Sequence, residues 1–284
     1  MRHDGVALIA VLWIVSLLAA IAASFATTQR TEIVGARNQI ASAEARALAD
    51  AGVKRVVLAL ATDGETAARN GSESDWSFPT GKVITSVHAE GGKVDLNGAD
   101  AGLLAGLFAA GGADNPDRLA AAVIDFRDAD ADPEPGGAED GDYRAAGLSH
   151  EAKDRPFERE DELLQVLGMT RAVFDAVAPA VTVYSRSKGI DPATAPVAAL
   201  VALPGMSTAQ AKAFAAGRSR SAVADQGGAL ADSPYLVPSA IPIVTIRAEA
   251  ETEGGAVFVR EAVVALTPGA RKPFHILTWE QGRR

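Results

Sequence analysis

From Val6 to Ala26 the chain reads VALIAVLWIVSLLAAIAASFA, 21 residues without a charge, in which Ser16 and Ser24 are the only polar side chains. As a helix rising about 1.5 Å per residue, this run crosses a hydrocarbon core of roughly 30 Å. The helical pattern then continues. Ile33, Ala36, Ile40, Ala43, Ala47 and Ala51 recur at three- and four-residue steps, Val53, Val56, Val57 and Leu60 extend the stripe, and no proline occurs before Leu60. The pattern predicts one helix of about 80 Å, half in lipid and half outside. Two alternatives stay open. One is a secretory signal cleaved near Ala22, Ser24 and Ala26, although the run exceeds the usual apolar region of about 7 to 15 residues. The other is a membrane helix followed by a separate amphipathic one, broken near Gly35 or Gly52, each of which weakens a helix by about 1 kcal/mol relative to alanine.

The 284 residues suffice for one large or two modest domains, and 48% hydrophobic with 22% charged excludes wholesale disorder. Lys and Arg number 27 against 36 Asp and Glu, a net charge of −9. Such a chain lacks the basic footprint of a phosphate-backbone binder, so nucleic acid is not an expected partner. Cysteine is absent, which removes a disulfide framework, a thiolate zinc site and a cysteine nucleophile but leaves the compartment open. Charge is unevenly spread. Up to Thr62 there are six basic and four acidic residues; Asp125 to Asp142 alone holds eight carboxylates against the single Arg127. That density repels itself unless it is solvated or neutralised by a cation.

Beyond the helix, Asp63 to Asp75 reads as a polar loop. Val83 to His88 and Lys93 to Leu96 read as two strands of a hairpin about Gly91-Gly92, and Ile243 to Ala250 and Val257 to Leu266 flank a Gly254-Gly255 turn. Phe274 to Trp279 offers a further short strand. Between these β regions lie candidate helices at Leu103 to Ala110, Leu119 to Arg127, Glu160 to Val166, Arg171 to Ala178, Pro196 to Ala202 and Thr208 to Ala216. The arrangement is α+β, one sheet interrupted by a helical insertion. Two joints echo each other, ELLQVLGMT at Glu162 to Thr170 and ALVALPGMS at Ala199 to Ser207, each an apolar helix, a glycine turn, Met and a hydroxyl cap. They resemble helix-hairpin-helix units. Such units often bind DNA through glycine-rich backbone, but Ser207 and Thr170 stand where a second glycine is expected, and Arg218 and Arg220 are the best nearby basic cluster.

The most specific chemistry is Asp128-Ala-Asp130-Ala-Asp132-Pro-Glu134-Pro-Gly136-Gly137-Ala-Glu139. Asp128, Asp130, Asp132 and Glu139 fall at positions 1, 3, 5 and 12 of a calcium loop of the EF-hand kind. Pro133 replaces the usual sixth-position glycine, so a calcium loop of different geometry is expected. Asp140 and Asp142 are candidate ligands for a second ion. Magnesium keeps more of its waters, and zinc lacks the cysteine and histidine it prefers. The ion would be a structural staple, one or two Ca2+, in a chain without disulfides; a solvated acidic turn is the alternative. No catalytic residues are expected. GxSxG, P-loop and dinucleotide fingerprints are absent, and of His3, His88, His150 and His275 only His150 adjoins a nucleophile, Ser149, which is not a triad.

The short charged leader Arg2-His3-Asp4 ends in Gly5 and is followed at once by the apolar helix. This resembles the class III signal of type IV pilins and type II secretion pseudopilins. The resemblance implies cleavage by prepilin peptidase between Gly5 and Val6, methylation of Val6 and retention of the helix. Most members of the family carry glutamate as the fifth mature residue, where this chain has Ala10. A carboxylate in lipid is costly unless paired, and its loss fits the minor pseudopilin that caps the filament tip and has no neighbour ahead of it. Ile124 to Asp140 is similar to the calcium-binding segment of that minor pseudopilin, which also carries a large inserted helical domain. The resemblance thus implies a pilin-like fold, a long N-terminal transmembrane helix packed on an antiparallel sheet. Its divisions are leader 1–5, transmembrane part 6–26, pilin-like part 27–98, inserted helical domain 99–235 and closing strands 236–284. It implies a single pass in the bacterial inner membrane, N-terminus cytoplasmic and body periplasmic. The implied partners are other minor pseudopilins in a tip complex, the major pseudopilin, prepilin peptidase and the inner-membrane assembly platform. A minor pilin of a type IV or DNA-uptake system and an unrelated anchored calcium-binding protein are the rival readings.

Overall fold

The computed structural model describes residues 4–63, 71–217, 233–239, 242–267 and 269–283. The leader residues Arg2 and His3, the cluster Arg218 and Arg220, and most of the polar loop after Asp63 lie outside the described residues.

Helix α1 spans Asp4–Asp63 without a break, about 90 Å at the usual rise. Its segment Leu8–Phe25 is long and apolar enough to cross a membrane, and none of it is covered by the rest of the chain. The second half packs on the sheet through Ala45, Leu48, Ala49, Val53, Val56, Val57 and Leu60. The helix runs through Gly52, and that glycine serves close approach. A Cβ there would stand 2.8 Å from Val83 Cγ1 and 3.2 Å from Ala248 Cβ. The expected stripe is corrected at Ala43 and Ala47, which are exposed, whereas Ala45 and Ala49 are buried. Alanines occupy both sides of this stretch, so apolar periodicity could not choose between them. Ile33 and Ile40 are exposed.

The sheet has the order β1-β2-β5-β6-β7, antiparallel throughout. Its strands are β1 (Ser72–Phe78), β2 (Gly81–Ala89), β5 (Ile243–Thr252), β6 (Val257–Leu266) and β7 (Phe274–Gln281). On β5 alternate residues are buried, so Val244, Ile246, Ala248 and Ala250 meet Val83, Val87, Val264 and α1 in one core. Two strand expectations are corrected. Ser72–Phe78 falls partly in the expected polar loop yet pairs along its whole length with β2. As an edge strand it needs only Trp76 and Phe78 on the packed face, and Trp76 lies 3.9 Å under the Arg55 guanidinium. The hairpin partner of β2 is therefore β1. Gly91-Gly92 belongs to a 3-10 turn, Glu90–Gly92. From there the chain leaves the sheet, and β3 (Val94–Asp95) pairs in parallel with β4 (Val181–Thr182).

The helical part holds α2 (Ala101–Ala110), α3 (Pro116–Arg127), α4 (Asp140–Ala145), α5 (Arg171–Val177), α6 (Val197–Leu200) and α7 (Thr208–Ala216). Glu160–Gln165 is a 3-10 turn where a helix was expected. Leu103, Leu104, Leu107 and Phe108 of α2 pack with Val123 and Phe126 of α3 and with Tyr143, Leu163 and Leu200 in a second core. Buried Asp95 ties this part together. Its Oδ1 accepts from Asn97 N and Gly98 N, and its Oδ2 from Ser185 Oγ and Arg186 N.

Candidate calcium centre

The acidic loop leaves the end of α3 and returns into α4. Proline at the first turn and Arg127 in the last turn suit α3, and Arg127 folds back so that its guanidinium donates to the carbonyls of Leu96 and Ala99. The loop closes on Asp125, which is fully buried. Its Oδ1 accepts from Glu134 N at 3.0 Å and its Oδ2 from Ala138 N at 2.6 Å. Burial pushes the Asp125 carboxyl up and those two amides oppose the shift. Gly137 lies directly on this carboxylate, and any Cβ there would collide with Asp125 Oδ2. Gly137→Ala is accordingly expected to destabilise the helical part by about 2 kcal/mol, the scale of overpacking a filled site. Urea unfolding would measure it, and an unchanged midpoint would contradict this account of the loop.

Asp128 Oδ1, Glu139 Oε1 and Asp140 Oδ1 are buried and have no hydrogen-bond partner. A bare buried carboxylate oxygen is costly, and three in one loop are a donor set that would suit a cation. The electrostatics agree. The Glu139 carboxyl is pushed up to about 7 by burial and by the charges of Asp125, Asp128, Asp154 and Asp140. Asp128 is raised by burial first, then by Asp130 and Asp125, against Arg127. Other predicted ligands have local duties. Asp130 Oδ1 accepts from Asp132 N at 3.1 Å, Asp132 is exposed, and Asp142 Oδ2 accepts from Glu139 N at 3.1 Å at the start of α4. Among the described residues no group of three or more acidic, histidine or cysteine side chains is gathered closely enough to hold an ion. The structure therefore brings Asp128, Glu139 and Asp140 within electrostatic reach of one another without closing them on a point. An all-oxygen donor set of this kind fits a hard cation and not zinc.

Sequence reasoning missed two members of the arrangement. Asp125 stands in the acidic run with no role that spacing reveals, and Asp154, at φ 52, bears on Glu139 from outside it. A residue-spacing rule finds only ligands within one loop, so Asp154 left no signal.

The two echoing joints share the expected glycine turn and hydroxyl cap, although the first is entered from a 3-10 turn. Gly168 and Gly205 take φ +88 and +76, Thr170 Oγ1 accepts from Val173 N, and Ser207 Oγ accepts from Gln210 N. His150 Nε2 lies 3.0 Å from Gln165 O, a structural contact beside Tyr143. Gly5 and Val6 lie in the first turns of α1.

A long N-terminal helix with an apolar span, packed through its second half on an antiparallel sheet that a helical domain interrupts, makes a pilin-like fold. Residues 85–186 match the family model described as type II secretion system (T2SS), protein K, a segment that contains the whole acidic loop. In fold the chain is similar to a solved structure of the GspK-GspI-GspJ complex from the enterotoxigenic Escherichia coli type 2 secretion system. The TM-score is 0.58 and the identity 16%, with 90% of this chain and 99% of that chain covered. No curated protein matches the chain. The chain is thus similar in sequence to type II secretion protein K over residues 85–186 and similar in fold to the solved complex over most of its length.

Proposed function

We propose that this chain caps the tip of a type II secretion pseudopilus, primes its assembly and so helps export folded proteins across the outer membrane. The observation that carries the reading is the protein K match over residues 85–186, set in a chain whose α1 leaves Leu8–Phe25 uncovered for a membrane. Ala10 fits a subunit with no neighbour ahead of it. In this reading prepilin peptidase cuts between Gly5 and Val6, Val6 is methylated, and the body stands in the periplasm on a helix whose N-terminus is cytoplasmic. Ile33 and Ile40, exposed on α1, form the seam with other pseudopilins. The solved relative lies in a complex with GspI and GspJ, and the corresponding minor pseudopilins are the first partners proposed here, followed by the major pseudopilin and the assembly platform. The acidic loop holds one or two structural calcium ions through Asp128, Glu139 and Asp140, with Asp130, Asp132 and Asp142 nearby. The role is mechanical, without catalysis.

Deleting the gene from its host is the test. Export of type II substrates is expected to fall to background and to return with the wild-type chain but not with one lacking residues 6–26. Normal export in the deletion strain would overturn the reading.

A further inference from the structure

The two hydrophobic cores share no buried residue, and where the helical part meets β5–β7 charged and hydroxyl side chains surround the few apolar ones, Ala178, Val181 and Val263. A cavity of about 280 Å³ lies in this seam, with Lys93, Glu160 and Tyr184 on one side and Thr245, Glu261 and Thr278 of β5–β7 on the other. Three polar contacts bridge it. Arg159 Nη1 reaches Glu280 Oε1 at 3.5 Å, Tyr184 hydrogen-bonds Thr278, and Thr245 Oγ1 donates to Glu90 Oε1 at 2.7 Å. Glu90 is fully buried. Its Oε1 also takes Lys93 Nζ at 2.7 Å, while its Oε2 has no donor. A seam built this way has little apolar area to hold it, the condition under which two packed units move relative to one another.

Glu160 lines this cavity from the helical part. It faces Glu90 and Lys93 from the turn after β2, Glu261 from β6, Glu280 from β7, Tyr184 from beyond β4, and Arg159 beside it, which Asp161 shares at 3.1 Å. Burial raises the Glu160 carboxyl above its ordinary value, and the charges of Glu90 and Glu261 add to this, against Lys93 and a backbone hydrogen bond. The Tyr184 phenol, pushed up to about 12 by burial, keeps its proton at any physiological pH.

We propose that this seam is a proton-operated clasp, in which a protonated Glu160 seats the helical part on β5–β7 and an ionised Glu160 releases it. The sign follows from the environment. A carboxyl raised in the seated state stabilises that state fully below the ordinary carboxylate range, and the contribution is lost as pH rises through the seated-state value. The angle between the helical part and the long helix therefore responds to the acidity around the protein.

The absence of cysteine makes the test direct. Spin labels on Ser77→Cys in β1 and Ala172→Cys in α5, both exposed positions, report the distance between the two parts in the full chain in detergent. Measurements at pH 4 and pH 8, each in excess calcium and in chelator, separate the seam from the acidic loop. One narrow distance distribution is expected at pH 4, with a second, longer component at pH 8. Glu160→Gln is expected to stay narrow at both, and Glu261→Gln to move the midpoint to lower pH. Identical distributions at both pH values in the wild-type chain would overturn the proposal, as would a full pH response in Glu160→Gln. If that variant does not fold, the wild-type titration and the Glu261→Gln midpoint decide.

Discussion

Removing calcium from the intact protein is expected to lower its melting temperature by about 10 °C. A ligand that binds only the folded state at a thousand times its dissociation constant stabilises by about 4 kcal/mol, and each kcal/mol moves a domain of this size by roughly 2 to 4 °C. The loop supplies the reason. Asp128, Glu139 and Asp140 each bury an oxygen without a donor, and calcium would cancel repulsion that the fold otherwise carries. The double variant Asp128→Asn with Glu139→Gln is expected to lose the calcium response and to melt higher than the wild type in chelator. Calorimetry with calcium and with chelator decides it. Equal melting temperatures for the wild type would remove calcium from the account and leave a solvated acidic turn.

The second large effect lies at the other core. Arg260 is 3% exposed, its Nε donates to Asp50 Oδ1 of α1 at 2.7 Å, and its guanidinium lies 5.0 and 5.3 Å from the rings of Phe258 and Trp279. Its Nη2 is buried without an acceptor. Asp50→Ala would strand this cation, a change that costs about 3 to 5 kcal/mol when a buried pair is broken on one side. Arg260→Met is expected to cost less, because the Asp50 side chain is 26% exposed and rehydrates, and the double variant Asp50→Ala with Arg260→Met is expected to recover most of the loss. Denaturant unfolding of the four proteins forms a complete cycle. A mild Asp50→Ala variant would mean that the pair does not clamp α1 to the sheet.

Much of this architecture is written in residue patterns that do not depend on tertiary context. The uncharged run into α1, the alternation of β5 and β6 about Gly254-Gly255 and the apolar faces of α2 and α3 belong to this class. The failures have a common cause. Ser72–Phe78 is polar except at Trp76 and Phe78, and only pairing with β2 makes it a strand. Gly91-Gly92 looks like a hairpin turn, yet buried Glu90, held by Lys93 and Thr245, marks where the chain leaves the sheet. In α1, alanine on two faces hid which side meets the sheet. At the acidic loop, spacing pointed to Asp128 and Glu139, and the fold leaves both with bare buried oxygens. Spacing did not disclose that Asp125 organises the loop from α3, because that role rests on backbone amides nine and thirteen residues away. Nor did it disclose Asp154, which only the fold brings near.

The most direct test of the central claim is the mass of the intact protein from its native membrane, with and without prepilin peptidase. A type II secretion pseudopilin is predicted to begin at Val6 with one added methyl, and to keep its leader when the peptidase is absent. A chain that begins near Ala26, or one that retains Met1 while the peptidase is active, would contradict the account.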